Sequence, residues 1–189
     1  EKTIRQLRQR TTTWHVYQAQ GNYEEAMDLY KKALEIMMKN LGEEHSSVAN
    51  SYNNMAGVFK LQGNYDEAMK LYKKSLEIKK KNLGEGHSSV ATTYFGMAGV
   101  FEAHENYDEA MKLYKKALEI RVKNLGEDHS SVGDTYLSID LLWLERDETE
   151  RALDMFEKTA VAYKKAYGTE HRKFCSIVNI LADMRGRPT

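Results

Sequence analysis

The chain has 189 residues, with 28 Lys and Arg against 28 Asp and Glu, one Cys and one Pro. At 41% hydrophobic and 30% charged it can bury a core, and zero formal net charge argues against nucleic acid, whose binding needs a basic footprint. No apolar run approaches the roughly 18–20 residues of a membrane helix and no signal-peptide pattern opens the chain. The lone Cys175 rules out an internal disulfide framework and fits a reducing, cytoplasmic setting. Because the sequence opens without Met, a fragment of a longer chain is expected.

Self-comparison reveals a period of 42 residues, since Gln20-Gly21-Asn22-Tyr23 recurs from Gln62 and, more loosely, from His104. Leu41-Gly42-Glu43-Glu44-His45-Ser46-Ser47-Val48 recurs from Leu83 and Leu125, and Tyr167 to His171 is a worn copy of its loop. Units are expected near 4–45, 46–87, 88–129 and 130–171, with a closing helix at 172–186, as a single array over 1–189. Each unit reads as two helices. The first type is placed at 5–19, 47–61, 89–103, 131–145 and 173–185, the second at 23–40, 65–82, 107–124 and 149–166.

Within one unit the signals are local. Asn64 with Glu67 has capping-box spacing, and Ala68, Leu71, Tyr72, Ser75, Leu76 and Ile78 share a helical face. Lys79, Lys80 and Lys81 load the last turn, Gly84 stops the helix, and Ser88 or Ser89 is expected to cap the next one. That next helix turns Val90, Tyr94, Met97, Ala98 and Phe101 inward.

Tyr52-x2-Met55-Ala56-x2-Phe59, followed by Ala68-x3-Tyr72, resembles the tetratricopeptide repeat, and Tyr94, Met97, Ala98, Phe101, Ala110 and Tyr114 repeat the pattern. The long period, the Leu-Gly-x-x-His loop and the Asn53-Asn54 pair are similar to kinesin light chain and its nephrocystin-3-like relatives. The resemblance implies an all-α, right-handed α-solenoid of about four helix pairs plus a closing helix. The sequence departs from that family where His45-Ser46, His87-Ser88 and His129-Ser130 replace His-Pro. It departs again at Asp140, which stands where other units place Ala56 and Ala98 at a helix crossing; that carboxylate either reaches the surface or loosens the contact.

A search for chemistry finds little. His45, His87, His129 and His171 are spaced one repeat apart and cannot converge on one metal, so a structural loop role is favoured and no metal site is expected. Cys175 with His171 one turn earlier lacks an orienting third group, and a buried structural Cys is favoured. No phosphate loop or Cys-x-x-Cys is present, and neither an enzyme nor a cofactor is expected. Lys31, Lys32, Lys73, Lys74, Lys115 and Lys116 read as a solvated convex face with mixed charge.

The resemblance directs attention to the concave groove, lined in that family by the first helices. Carried over unit by unit, the groove positions are Arg8, His15, Asn50, Asn53, Asn54, Gly57, Lys60, Thr92, Phe95, Gly99, Glu102, Asp134, Leu137 and Leu141. Asn50, Asn53 and Asn54 can bond a peptide backbone, and Phe95, Leu137, Leu141 and Leu144 suggest an apolar anchor. Arg8 and Lys60 at one end, with Glu102, Asp134 and Asp183 toward the other, give a charge gradient. The leading expectation is a non-catalytic adaptor holding a short peptide, with protein or peptide partners and no nucleic acid or membrane. Alternatives are a structural or sensor segment of a larger signalling protein, and homo-oligomerisation through the solenoid ends, where the apolar final helix is suggestive.

Overall fold

The computed structural model describes residues 23–186, so the first helix expected at 5–19 lies outside the described residues. Eight helices occupy them: α1 (Tyr23–Leu41), α2 (Ser46–Leu61), α3 (Tyr65–Leu83), α4 (Ser88–Ala103), α5 (Tyr107–Leu125), α6 (Ser130–Glu145), α7 (Thr149–Tyr167) and α8 (Arg172–Arg185). Expected and observed limits agree to within one residue, and the fold is the all-α repeat solenoid read from the sequence. The chain divides into two compact units, Glu1–Glu85 and Gly86–Thr189.

In the first unit α2 packs against α1 and forms a helical hairpin with α3. Val48, Ala49, Ala56 and Ala68 are fully buried, with Met55 and Tyr72 nearly so. The Ser75 hydroxyl donates to the buried Ala49 carbonyl at 2.7 Å, which satisfies a polar group inside the hairpin. Lys81 pairs with Glu44, and the Asn82 amide donates to the Glu44 carbonyl, fastening the end of α3 to the loop before α2.

The second unit runs through the hairpins α4–α5 and α6–α7, with α6 also against α5 and α8 against α7. Its core gathers Ala98, Ala110, Met111, Tyr114, Ile139 and Leu142. Phe156 is fully buried, a side chain whose removal from water contributes about 1.5–3 kcal/mol. The loop fastening recurs, since Asn124 donates to the Gly86 carbonyl at 2.7 Å and Lys165 pairs with Asp128 at 2.7 Å.

Two kinds of turn produce these hairpins. Gly42, Gly84, Gly126 and Gly168 end the second-type helices at φ between 79° and 83°, which only glycine adopts freely. The next helix is then capped by histidine. The Nδ1 atoms of His45, His87 and His129 accept the amide N–H two residues on at 3.1 Å, and His171 does so at 3.2 Å. The expectation that Ser88 or Ser89 caps is therefore corrected: both lie inside α4, and the imidazole nitrogen does what an Asn oxygen would. The capping box is only partly formed. Asn106 accepts from the Glu109 N–H at 3.3 Å, Asn64 makes no side-chain cap bond, and Glu67 and Glu109 instead pair with Lys70 and Lys112.

The other turn joins the two helices of a hairpin through three residues. Its middle residue is left-handed, Gly63 at φ 76° but Glu105 at 58° and Asp147 at 59°. A side chain there costs about 1–2 kcal/mol, because its Cβ crowds the following carbonyl.

Asp140 resolves the choice left open by the sequence: it is fully buried, not displaced to the surface. Its Oδ2 accepts from the Thr159 hydroxyl at 2.8 Å, while Oδ1 has no partner. Burial pushes this carboxyl up to about 8 from an ordinary 3.8, the Thr159 bond only partly opposing the shift. The α4–α5 hairpin holds Ala98 and Ala117 at the corresponding places, both fully buried. Cys175, expected to be buried, is exposed, its sulfur 3.4 Å from the Thr169 carbonyl.

Two outcomes are expected. Replacing Glu105 and Asp147 by Gly raises the urea midpoint by the equivalent of about 0.5–1 kcal/mol per site, the relieved strain being partly offset by the entropy glycine adds to the unfolded chain. Asp140→Ala removes an unsatisfied buried group and stabilises by about 1–3 kcal/mol near pH 8, Thr159 turning to a backbone carbonyl one helical turn back. Because the folded value lies above the unfolded one, wild-type stability is lost as pH rises from about 4 toward about 8. The gain from Asp140→Ala in chemical denaturation is therefore larger near pH 8 than near pH 5.

Candidate functional site

Arg8 and His15 lie outside the described residues. In the first unit the remaining groove positions all fall on α2. Asn50 and Asn54 are exposed, while Asn53, Gly57 and Lys60 are half-buried. A Cβ added at Gly57 would lie 3.8 Å from the Tyr72 hydroxyl, an ordinary contact, so no close approach of α3 demands glycine there.

In the second unit the positions sit on α4, α6 and α8. Thr92 is exposed and turns its hydroxyl back to the Ser88 carbonyl at 3.2 Å. Phe95, Gly99, Glu102, Asp134, Leu137 and Leu141 are half-buried, and Asp183 on α8 is exposed. These residue types do not all remain available to a ligand. Glu102 accepts from the Tyr114 hydroxyl at 2.7 Å, and Asp134 accepts from both Tyr163 and Lys173 at 2.7 Å. Phe95 meets the Tyr114 ring edge-on at 5.1 Å and carries the Arg121 guanidinium 4.4 Å above its face.

Arg121 is the residue the sequence reading missed. It is buried on α5 and reaches α6, donating to the Ser131 carbonyl at 2.9 Å and the Thr135 hydroxyl at 2.7 Å. The signal was that this position varies between repeats: Lys79, Arg121 and Tyr163 stand one period apart. Where Tyr163 fills the place, Gly133 faces it. A Cβ at Gly133 would fall 2.8 Å from the tyrosine ring, so the larger side chain requires the smaller neighbour.

The electrostatics follow from this network. Burial, reinforced by Glu102, raises the Tyr114 phenol well above its usual value, and burial with Asp134 raises Tyr163 likewise. Burial lowers Arg121 against the attraction of Asp134. Burial also works against Lys173, but its bond to Asp134 prevails and the net shift is upward. Both phenols thus stay protonated donors to carboxylates, and Glu102 and Asp134 serve the fold. The charge gradient loses two of its three acidic members to internal partners, and the apolar row reduces to Leu137, Leu141 and Leu144 on one face of α6.

The lysine pairs are exposed as expected, with Lys74 over Tyr52 and Lys116 over Tyr94 at 5.6 Å and Lys115 over Trp143 at 5.9 Å. A shallow depression of about 360 Å³ is lined by Trp143, Glu150, Arg151, Asp154 and Met155, none of them groove positions. Among the described residues, no group of three or more His, Cys, Asp or Glu side chains is placed to hold a metal ion, and no helix is long and apolar enough to cross a membrane.

Comparison with known proteins places this geometry. The tetratricopeptide repeat family profile matches residues 12–81, 47–121 and 89–165. Putative kinesin light chain nearly identical TPR-like repeats from Podosopora anserina superpose with TM-score 0.71 at 23% identity, over 94% of this chain and 85% of that one. A point variant of the same protein gives 0.72 at 23% identity, over 94% and 84%. BtubC (BKLC) from P. vanneervenii gives 0.68 at 22% identity, over 91% and 78%. A search of curated proteins finds no match. The fold therefore resembles that of kinesin light chain repeats, and the chain belongs to the tetratricopeptide repeat family, whose repeats mark a protein–protein interaction scaffold.

Proposed function

We propose that this scaffold is non-catalytic and works as a cytoplasmic adaptor, holding a short peptide against the faces of its first-type helices. The supporting observation is the row Leu137, Leu141 and Leu144 on α6, half-buried and at three-to-four spacing while the carboxylates near it are tied up internally. Such a row suits an apolar anchor side chain of a ligand. In the first unit, exposed Asn50 and Asn54 with half-buried Asn53 offer donors and acceptors to a peptide backbone, which demands little sequence from the ligand.

On this reading residues 1–189 form one array, supported by a 42-residue period that crosses residue 86 without a break in the sequence. Recognition in the second unit is then apolar rather than electrostatic, because Glu102 and Asp134 already have partners. Salt should weaken binding only modestly.

A peptide-array screen followed by fluorescence anisotropy tests the proposal. Ligands selected on wild type are expected to bind Leu141→Asp at least about tenfold more weakly and Asn53→Ala several-fold more weakly, with helicity and thermal midpoint retained. Equal binding to wild type and to the double variant, both folded, would show that the ligand contacts another surface.

A further inference from the structure

A titratable ring starts each of α2, α4, α6 and α8. His45, His87, His129 and His171 hold the N-cap in extended backbone, and each Nδ1 accepts the N–H two residues on. To accept there, the ring must carry its one proton on Nε2. A ring with protons on both nitrogens has no lone pair to offer, so the cap exists only in the neutral form. All four histidines are exposed, and a proton reaches them without any opening of the fold. Imidazole ordinarily changes charge between about pH 5 and 8.

These helix starts give a cation no support. None of the four has an acid in its first turn, and the partial positive charge of a helix N-terminus repels a charged ring. The helices leading into or packed on the loops add cations in their last turns, Lys39, Lys80, Lys81, Lys123, Lys164 and Lys165. Of the loop carboxylates, Glu44 pairs with Lys81, Glu85 with Lys80 and Asp128 with Lys165, which leaves exposed Glu43, Glu127 and Glu170 to oppose that repulsion. The Tyr167 ring of α7 stacks on His171 at 4.3 Å, and nearby Lys173 pairs with Asp134 of α6. At His87 the Ser89 hydroxyl lies 2.8 Å from Nδ1; it can turn to accept from a protonated ring, but the Ser89 N–H still loses its acceptor. Helices α3, α5 and α7 begin differently. Their caps are Asn64, Asn106 and Glu148, and acids occupy their first turns.

We infer that the histidine caps are an acid-sensitive device: proton uptake uncaps α2, α4, α6 and α8 together, while α3, α5 and α7 keep their starts. The helices so loosened are those proposed to hold a peptide, but the device stands whether or not a peptide binds there.

Urea denaturation of the intact chain at about pH 7.5 and about pH 5 compares wild type with the quadruple variant His45→Asn, His87→Asn, His129→Asn and His171→Asn. Asparagine accepts the same N–H at both values. Asp140 and every carboxylate are common to the two proteins and cancel in the comparison. The ratio of the variant's folding equilibrium constant to that of wild type is expected to rise at least about tenfold from the higher pH to the lower. An unchanged ratio overturns the inference. Nuclear magnetic resonance on wild type alone gives a second measurement. Near pH 7.5 the four rings are expected to carry their proton on Nε2, and the Ser47, Ser89, Ser131 and Lys173 amide signals move with ring protonation, while that of Glu109, capped by Asn106, stays. Rings protonated on Nδ1 near pH 7.5, or amides indifferent to ring protonation, overturn the inference as well.

Discussion

Two helices approach each other most readily where both present small side chains, and two hairpins of this chain bury alanine on both of their helices. Ala56 and Ala68 serve α2 and α3, and Ala98 with Ala110 serves α4 and α5. Close approach then brings the larger inward residues, Met55 and Tyr72 or Met97 and Tyr114, into a dry interior. Everything else depends on that spacing: the three-residue turn spans it, and the lysine stems cross it to reach the aromatic rings. The α6–α7 hairpin keeps the arrangement with Asp140 in the alanine's place, at the cost of one carboxylate oxygen without a partner.

The same constraint divides roles among the polar residues. A repeat stack has few places to bury charge, and this one concentrates it along a seam in the second unit, through Glu102–Tyr114, Arg121–Thr135 and Tyr163–Asp134–Lys173. Each bond joins side chains of different helices. The seam sets how successive helices sit in that unit, and it withdraws carboxylates from any role in recognition. What it leaves on α6 is a leucine row.

Helix limits, turns and inward faces were legible in the sequence because they are local: a 42-residue period and three-to-four spacing report which side of a helix is dry. The histidine caps were not, because serine is the commoner cap and spacing cannot show that an imidazole nitrogen reaches the same N–H. Nor could spacing show that Glu102 belongs to Tyr114, or that Phe95 lies beneath Arg121, since those pairings come from packing between helices. Cys175 is exposed although free cysteine is among the most often buried residue types, because residue type alone does not report which face of α8 is covered.

Helices α3 and α5 differ at only three positions, Ser75 and Ala117, Lys79 and Arg121, Lys80 and Val122. During folding, α5 is thus nearly as good a partner for α2 as α3 is, so mispairing is a built-in hazard of the sequence. Chain connectivity opposes it, because a three-residue turn closes at far lower entropic cost than the long loop an exchanged pair requires. The identity of residue 121 supplies a second check. Its guanidinium lies 4.4 Å above the Phe95 ring in the native order, whereas the place one repeat earlier holds Asn53, so a side chain buried for packing also acts as a register mark that tells one near-copy from the next.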